Sequence, residues 1–242
     1  MCKNCILLIL TLVLASIETT LQFQKPCEDV SEECLTKTFQ MALPDFAQAI
    51  PELGLKSLDP YSIDKLDVVV PGGISIQFRE GVAKGLKKCN VDFARLAGNT
   101  LETQLHCNLT IRGKYKSQGR MLVFPIDGNG DASIMCRNIK IYSVVKLKSK
   151  VEADGEKYLE IAESKVDHSY DGRVSYSLTN LLRGNPELSA ALLDFMNENW
   201  RLVAEEFGGP LVEYGVSAVF NNLKKLLNTI PMNKLVPIPL NL

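Results

Sequence analysis

The sequence predicts an α+β domain in which a long, bent C-terminal helix is wrapped by a highly curved antiparallel β-sheet. Two observations carry this. Between Leu66 and Tyr176 apolar residues recur with a period of two, in segments parted by short turn clusters, as in an antiparallel meander. From Pro186 to Leu227 the period becomes 3.6, with an apolar arc too wide for an ordinary surface helix. Long strands twist and coil. A curved sheet with one dry face and a mostly apolar helix therefore supply each other's missing burial, with the helix in the concavity.

The 242 residues are 46% hydrophobic, with a net charge of −1. Core material is ample, and there is no electrostatic case for binding nucleic acid or an acidic membrane surface. Lys3, the apolar run Ile6–Ala15 and the small residues Ala15 and Ser16 read as a secretory signal peptide in residues 1–20, cleaved near 15–20. The run is shorter than the ~20 residues that span a bilayer. The expected mature chain, residues 21–242, is one secreted domain with no stable membrane insertion.

Of seven cysteines, Cys2 and Cys5 leave with the signal. Cys27 and Cys34 are the natural pair in an oxidising compartment. Closing so short a loop stabilises by about 2.5 kcal/mol on the chain-entropy argument. Cys89, Cys107 and Cys136 cannot all pair with one another, so at least one thiol is free unless another molecule takes it. All three share the phase of apolar neighbours, such as Val91 and Phe93 for Cys89. They either fill the core as small hydrophobes, the preferred reading, or line an internal cavity. The mature chain has no C-x-x-C and no Cys/His cluster for zinc.

Leu35–Ile50 reads as an amphipathic helix, with Leu35, Phe39, Leu43 and Phe46 near one face and Pro51 as its stop. A turn-rich connector leads through Leu58-Asp59-Pro60 and Ile63 into a strand at Leu66–Val70. The clearest strand is Leu101–Arg112. Leu101, Leu105, Cys107, Leu109 and Ile111 fall on one face, and Glu102, Gln104, His106, Asn108 and Arg112 on the other. Further strands are expected at Ile74–Phe78, Leu86–Leu96, Tyr115–Phe124, Ala132–Lys148, Lys157–His168 and Arg173–Leu178. Turns are expected at Gly72-Gly73, Gly98-Asn99, Asp127–Asp131, Ala153–Gly155 and Asp171-Gly172.

The C-terminal helix opens with Asn185 as cap, Pro186 in the first turn and Glu187 as early negative charge. Leu188, Leu192, Phe195, Met196, Trp200, Val203 and Phe207 belong to an arc of roughly 220°. Asn199 and Glu206 interrupt that arc and call for partners. Gly208-Gly209-Pro210 bends the helix, and the pattern resumes from Leu211 on a rotated arc.

No G-x-S-x-G, H-E-x-x-H or P-loop is present. His106 and His168 read as surface residues. Asp127–Asp131 begins like a calcium loop, but Ala132 replaces the sixth-position Gly and Asn138 the twelfth-position Glu; a hairpin turn is the better account. The chain is therefore read as a non-enzyme without cofactor or metal. Asn108-Leu109-Thr110 is the one glycosylation sequon, with Asn108 on the polar phase.

Four stretches taken in order resemble a known family. They are Pro26-Cys27 … Cys34-Leu35, Pro51-Glu52-Leu53-Gly54 … Leu58-Asp59-Pro60, Arg112-Gly113-Lys114-Tyr115 … Gly119 … Pro125-Ile126-Asp127-Gly128-Asn129-Gly130, and Asn185-Pro186-Glu187-Leu188. Together they are similar to the insect juvenile hormone binding protein and takeout family, in a superfamily that includes tubular lipid-binding proteins. The likeness covers nearly the whole mature chain. It implies a tunnel between helix and sheet for an elongated apolar ligand, a Cys27–Cys34 bridge, and carriage of a hydrophobic small molecule in extracellular fluid. The ligand would be a juvenile-hormone-like terpenoid, a fatty acid or another lipid. The second disulfide of the hormone-binding branch has no match, since helix Pro186–Leu227 lacks cysteine, and the tail after Met232 is short for takeout-type members. A takeout-like carrier of another lipid is therefore favoured. The alternative, from another class, is a secreted interaction protein with a packed core that meets an unknown receptor or partner through its surface.

The expected ligand contacts are Phe195, Trp200, Val203 and Phe207 on the helix and Leu105, Cys107 and Leu109 on the strand. Tyr142 is the first candidate to hold a ligand's polar end, because Ile141-Tyr142-Ser143 resembles the strand with a ligand-contacting tyrosine in the hormone-binding branch. Its phase tells against it, since Ile139, Ile141, Val145 and Leu147 take the odd positions. A bulge between Cys136 and Ile139 is needed if one face is to stay inward throughout.

Overall fold

In the computed structural model, which describes residue 27 and residues 29–121, 124–153 and 155–235, the alternating segments form one antiparallel sheet. Its strands are β1 (Tyr61–Val70), β2 (Ile74–Lys84), β3 (Asn90–Ala97), β4 (Thr100–Met121), β5 (Phe124–Val151), β6 (Lys157–Tyr170) and β7 (Val174–Leu178). The two longest strands pair at the centre. β4 carries β3 and β2 end to end along its other edge, and β5 carries β6 and β7 in the same way. The stretch expected to be a signal peptide, with its expected cleavage site, lies outside the described residues.

Several expected boundaries change. The segments Leu101–Arg112 and Tyr115–Phe124 belong largely to one strand, β4, and Asp127–Asp131 lies inside β5 instead of forming a hairpin turn. Gly128 stands opposite Ser117, and Gly130 opposite Tyr115. A Cβ on Gly130 would lie 2.4 Å from the Thr179 carbonyl oxygen. Gly130 marks a close approach of backbone and Gly128 one of side chains, a second meaning that glycine has within strands. The expected strand Leu86–Leu96 instead begins with a 3-10 turn at Leu86–Lys88. The buried Asp59 carboxylate holds that turn, accepting the Gly85 and Lys87 N–H groups at 3.1 and 3.0 Å.

Two of the sheet's bulges set which face of β3 and β5 looks inward. On β3, Asp92 is the extra residue between Val91↔Leu105 and Phe93↔Gln104. On β5, Arg137 and Asn138 stand against the single residue Asn108, between Leu109↔Cys136 and Cys107↔Ile139, and Asn138 has φ 50°. Cys136 and Ile139 are both buried, so the inward face is even-numbered before this bulge and odd-numbered after it.

Helix α1 (Glu32–Phe46) is capped by Ser31, whose hydroxyl accepts from Cys34 N, and Cys27–Cys34 ties its first turn to the preceding chain. It docks on the free edge of β3 through side chains that complete the ladder. Thr36 accepts the Ala94 N–H at 2.9 Å, while Gln40 accepts the Val91 N–H at 2.7 Å and donates to the Cys89 carbonyl at 3.1 Å.

The C-terminal helix runs in three segments, α2 (Pro186–Glu198), α3 (Trp200–Phe207) and α4 (Gly209–Thr229), followed by the short α5 (Met232–Leu235). Asn185 caps it by accepting the Leu188 N–H at 3.0 Å. Bonds from Val203 N to Asn199 O and from Val212 N to Gly208 O carry the helical ladder through both junctions. A Cβ on Gly208 would sit 2.5 Å from the Tyr170 hydroxyl, so the bend lies against this side chain of β6. The sheet curls around the helix's inner face, burying Leu192, Met196, Val203, Ala204, Leu226 and Leu227. The outer face meets solvent: Leu188 and Leu202 are 40% and 43% exposed. Asn199 and Glu206 lie exposed as well, so neither needs a buried partner.

Candidate functional site

The inward faces do not close on one another. Between them runs an elongated cavity of about 630 Å³. β4 lines it with Leu101, Thr103, Leu105, Leu109, Ile111, Tyr115 and Ser117, a stretch of roughly 50 Å along an extended strand. β5 contributes Ile126, Ala132, Ile134, Cys136, Ile139, Ile141, Ser143, Val145 and Leu147, following the face that its bulge sets. From the helix come Met196, Val203, Phe207, Leu211, Val212, Val216 and Phe220. Leu35, Phe39, Leu43 and Phe46, one face of α1, cover part of the cavity.

Several of the few polar groups on the wall already hold hydrogen bonds within the protein. The Thr103 and Ser143 hydroxyls bond at 2.6 Å, and the Tyr115 hydroxyl donates to the Thr179 carbonyl at 2.9 Å. Burial pushes the Tyr115 and Tyr170 phenols up to about 12 and the Tyr176 phenol higher still. Burial likewise pushes the Cys136 thiol up to about 11. All four are neutral at physiological pH. Lys84 and Lys234 are the lining side chains that carry charge, and both reach solvent. Such a wall removes apolar surface from water and offers almost nothing to a charged group.

Among the described residues, the two histidines and the acidic groups do not gather on this wall. His106 pairs with Asp92 at 2.5 Å on the outer face, beside Gln104 and Asn90. No group of three or more His, Cys, Asp or Glu with metal-binding geometry occurs among the described residues.

Of the residues expected from sequence to touch a ligand, Leu105, Leu109, Val203 and Phe207 are on the wall. Phe195 and Trp200 pack against core clusters beside it, and the Arg201 guanidinium lies 4.8 Å from the Trp200 ring centroid. Cys107 is bonded to Cys89, each 1% exposed, with Cα atoms 4.4 Å apart. The expectation that both act as small core hydrophobes is corrected accordingly, and Cys136 remains the free, buried thiol. A regular hairpin from Ala97↔Thr100 would set Cys107 against Asn90; the bulge at Asp92 moves it against Cys89. Phe93, on the hairpin side of that bulge, stands opposite Gln104 on the outer face and meets the ring of Tyr142 at 6.3 Å.

Tyr142 is therefore on the outer face, because the bulge at Arg137–Asn138 gives the inward positions to Ile141 and Ser143. Asn108, in the sequon, is exposed, and its side-chain oxygen accepts the Asn138 N–H at 2.9 Å across the same bulge. The contribution of α1 to the wall was missed as a site, although the spacing of Leu35, Phe39, Leu43 and Phe46 had already marked that face as one to be buried.

A crystal structure of Takeout 1 from Epiphyas postvittana superposes with a TM-score of 0.84 at 31% identity, covering 89% of this chain and all of that one. The circadian clock-controlled protein daywake of Drosophila yakuba and that of Drosophila melanogaster are each 25% identical over 224 residues, 87% of this chain and 85% of theirs. No helix of the described residues is long and apolar enough to cross a membrane. Residues 5–237 match the family described as haemolymph juvenile hormone binding protein, and the chain belongs to that family.

Proposed function

We propose that this protein is a secreted carrier that keeps a hydrophobic small molecule dissolved by enclosing it between the helix and the curved sheet. The observation that carries this is the cavity itself. A volume of about 630 Å³, walled by apolar side chains from α1, β4, β5 and the C-terminal helix, stays unfilled inside the hydrophobic core. An interior closes on itself wherever it can, since voids forfeit dispersion contacts. A cavity of this size falls within the range of small-molecule sites. An elongated ligand burying about 400 Å² gains roughly 10 kcal/mol from apolar transfer, set against association costs of about 4–15 kcal/mol. Affinity therefore follows how well the molecule fills the space. The alternative of an interaction protein with a packed core finds no support in an interior this open.

The test is incubation of purified protein, residues 21–242, with total lipid extract, followed by native mass spectrometry. A discrete apolar adduct is expected. Replacing Leu109 by Trp in mid-cavity should reduce that adduct while leaving the circular dichroism spectrum unchanged. Protein that emerges without any adduct, although folded, would reject the carrier reading.

A further inference from the structure

One polar atom on the cavity wall is left over. Ser117 is 6% exposed and lines the cavity, yet its hydroxyl has no hydrogen-bond partner among the described residues. A hydroxyl taken from water without a partner is costly, and buried polar atoms left in this state are rare. Gly128 lies directly across the strand pair from it. A Cβ on Gly128 would stand 2.7 Å from Ser117 Oγ and 3.0 Å from the Tyr115 hydroxyl. Glycine thus lets the Ser117 hydroxyl and the Tyr115 ring pack directly against the β5 backbone, which sets two oxygens at one end of a mostly apolar space. Tyr115 has committed its proton to Thr179, so its oxygen can still accept.

Charge decides which ligand group fits there. Lys84 stands opposite Thr110 and Ser117 opposite Ile76, which places Lys84 roughly 25 Å further along β2. Lys234 belongs to α5, which packs on β6, whereas Ser117 is opposite the early part of β5. A carboxylate at Ser117 would therefore be buried without a cation. A neutral oxygen would gain a donor and lose little hydration.

Resting on the carrier reading, we propose that the Ser117 hydroxyl, where it meets the cavity, is a subsite for a neutral oxygen, a ketone, ester carbonyl or alcohol, at the end of an elongated apolar ligand. The subsite orients the ligand with that end between β4 and β5.

The test uses competition against the fluorescent apolar probe N-phenyl-1-naphthylamine with three competitors: pentadecane, 2-pentadecanone and tetradecanoate. The parent protein should prefer the ketone to the alkane and discriminate against the carboxylate. Ser117→Ala removes an unpartnered hydroxyl and should fold normally. It should weaken the ketone by about 2- to 13-fold, as loss of one hydrogen bond does, and leave pentadecane unchanged. Gly128→Ala, whose Cβ would stand 2.7 Å from the Ser117 hydroxyl and push it from its place, should lower the ketone preference likewise. A Ser117→Ala variant that keeps the preference, or loses equal affinity for ketone and alkane, overturns the subsite while leaving the carrier reading in place. Failure of all three competitors and of the probe to bind would overturn both.

Discussion

Asn222 and Lys56, 166 residues apart, grip each other through two hydrogen bonds. The Lys56 N–H donates to the Asn222 side-chain oxygen at 3.2 Å, and the Asn222 amide donates to the Lys56 carbonyl at 2.7 Å. Asn222 is 3% exposed. A polar side chain on the inner face of α4 thus stands in for a ladder partner of the connector that precedes β1, fastening the helix to the start of the sheet. Asn222→Ala leaves both backbone groups of Lys56 unpaired and should cost about 2–4 kcal/mol of stability. Urea denaturation of both proteins checks this, and coincident midpoints would show that the clamp contributes nothing.

Gly208 tests the approach of the helix bend to β6. Its Cβ would lie 2.5 Å from both the Tyr170 hydroxyl and the Ala204 carbonyl oxygen. Gly208→Val therefore forces the bend away from β6 and should destabilise by about 1–3 kcal/mol, as overpacking does. Gly209 is the control, because a Cβ there meets nothing within 4 Å. Thermal melts of Gly208→Val and Gly209→Ala should separate clearly.

Cys89 and Cys107 share one fate and Cys136 has another. In protein comprising residues 21–242, Ellman's reagent should find no reactive thiol in the native state at pH 8 and one after denaturation without reductant. Cys89–Cys107 removes two from reaction, and burial holds the Cys136 thiol up at about 11, where thiolate is scarce. Peptide mapping that joined Cys136 to another cysteine would contradict this.

Alkaline pH should loosen the fold. Tyr115 and Tyr170 hold their protons up to about 12 when folded, against roughly 10 in the unfolded chain. As pH rises the unfolded state loses protons first. The stability these phenols contribute is therefore complete below pH 10 and lost as pH approaches 12. Absorbance at 295 nm should show a late-ionising group of tyrosines whose titration coincides with loss of near-ultraviolet circular dichroism.

Tyr142→Phe should leave apolar-ligand affinity unchanged, because its ring packs against Phe93 on the outer face while Ile141 and Ser143 face the cavity. A fall of about 2- to 13-fold, the effect of one lost hydrogen bond, would show that the hydroxyl reaches a ligand after all.

The sequence by itself determined whatever depends on neighbours along the chain. The period of two over the sheet, the helical period after Asn185, the cap at Asn185 and the apolar face of α1 are all local patterns, set by which side chains must leave water together. The proximity of Cys27 and Cys34 was equally legible, since few residues separate them. What the tertiary structure decided was register. Asp92 on β3 and the pair Arg137–Asn138 on β5 each add one residue against a partner strand. One extra residue exchanges inside and outside across the bulge, which is why Cys89 meets Cys107, Phe93 does not share the inward face of Cys89 and Val91, and Tyr142 leaves the cavity. Gly128 and Gly130 looked like a turn because glycine frees the backbone. Only the strands and loop packed against them, at Ser117, Tyr115 and Thr179, show that here glycine is needed for lack of room.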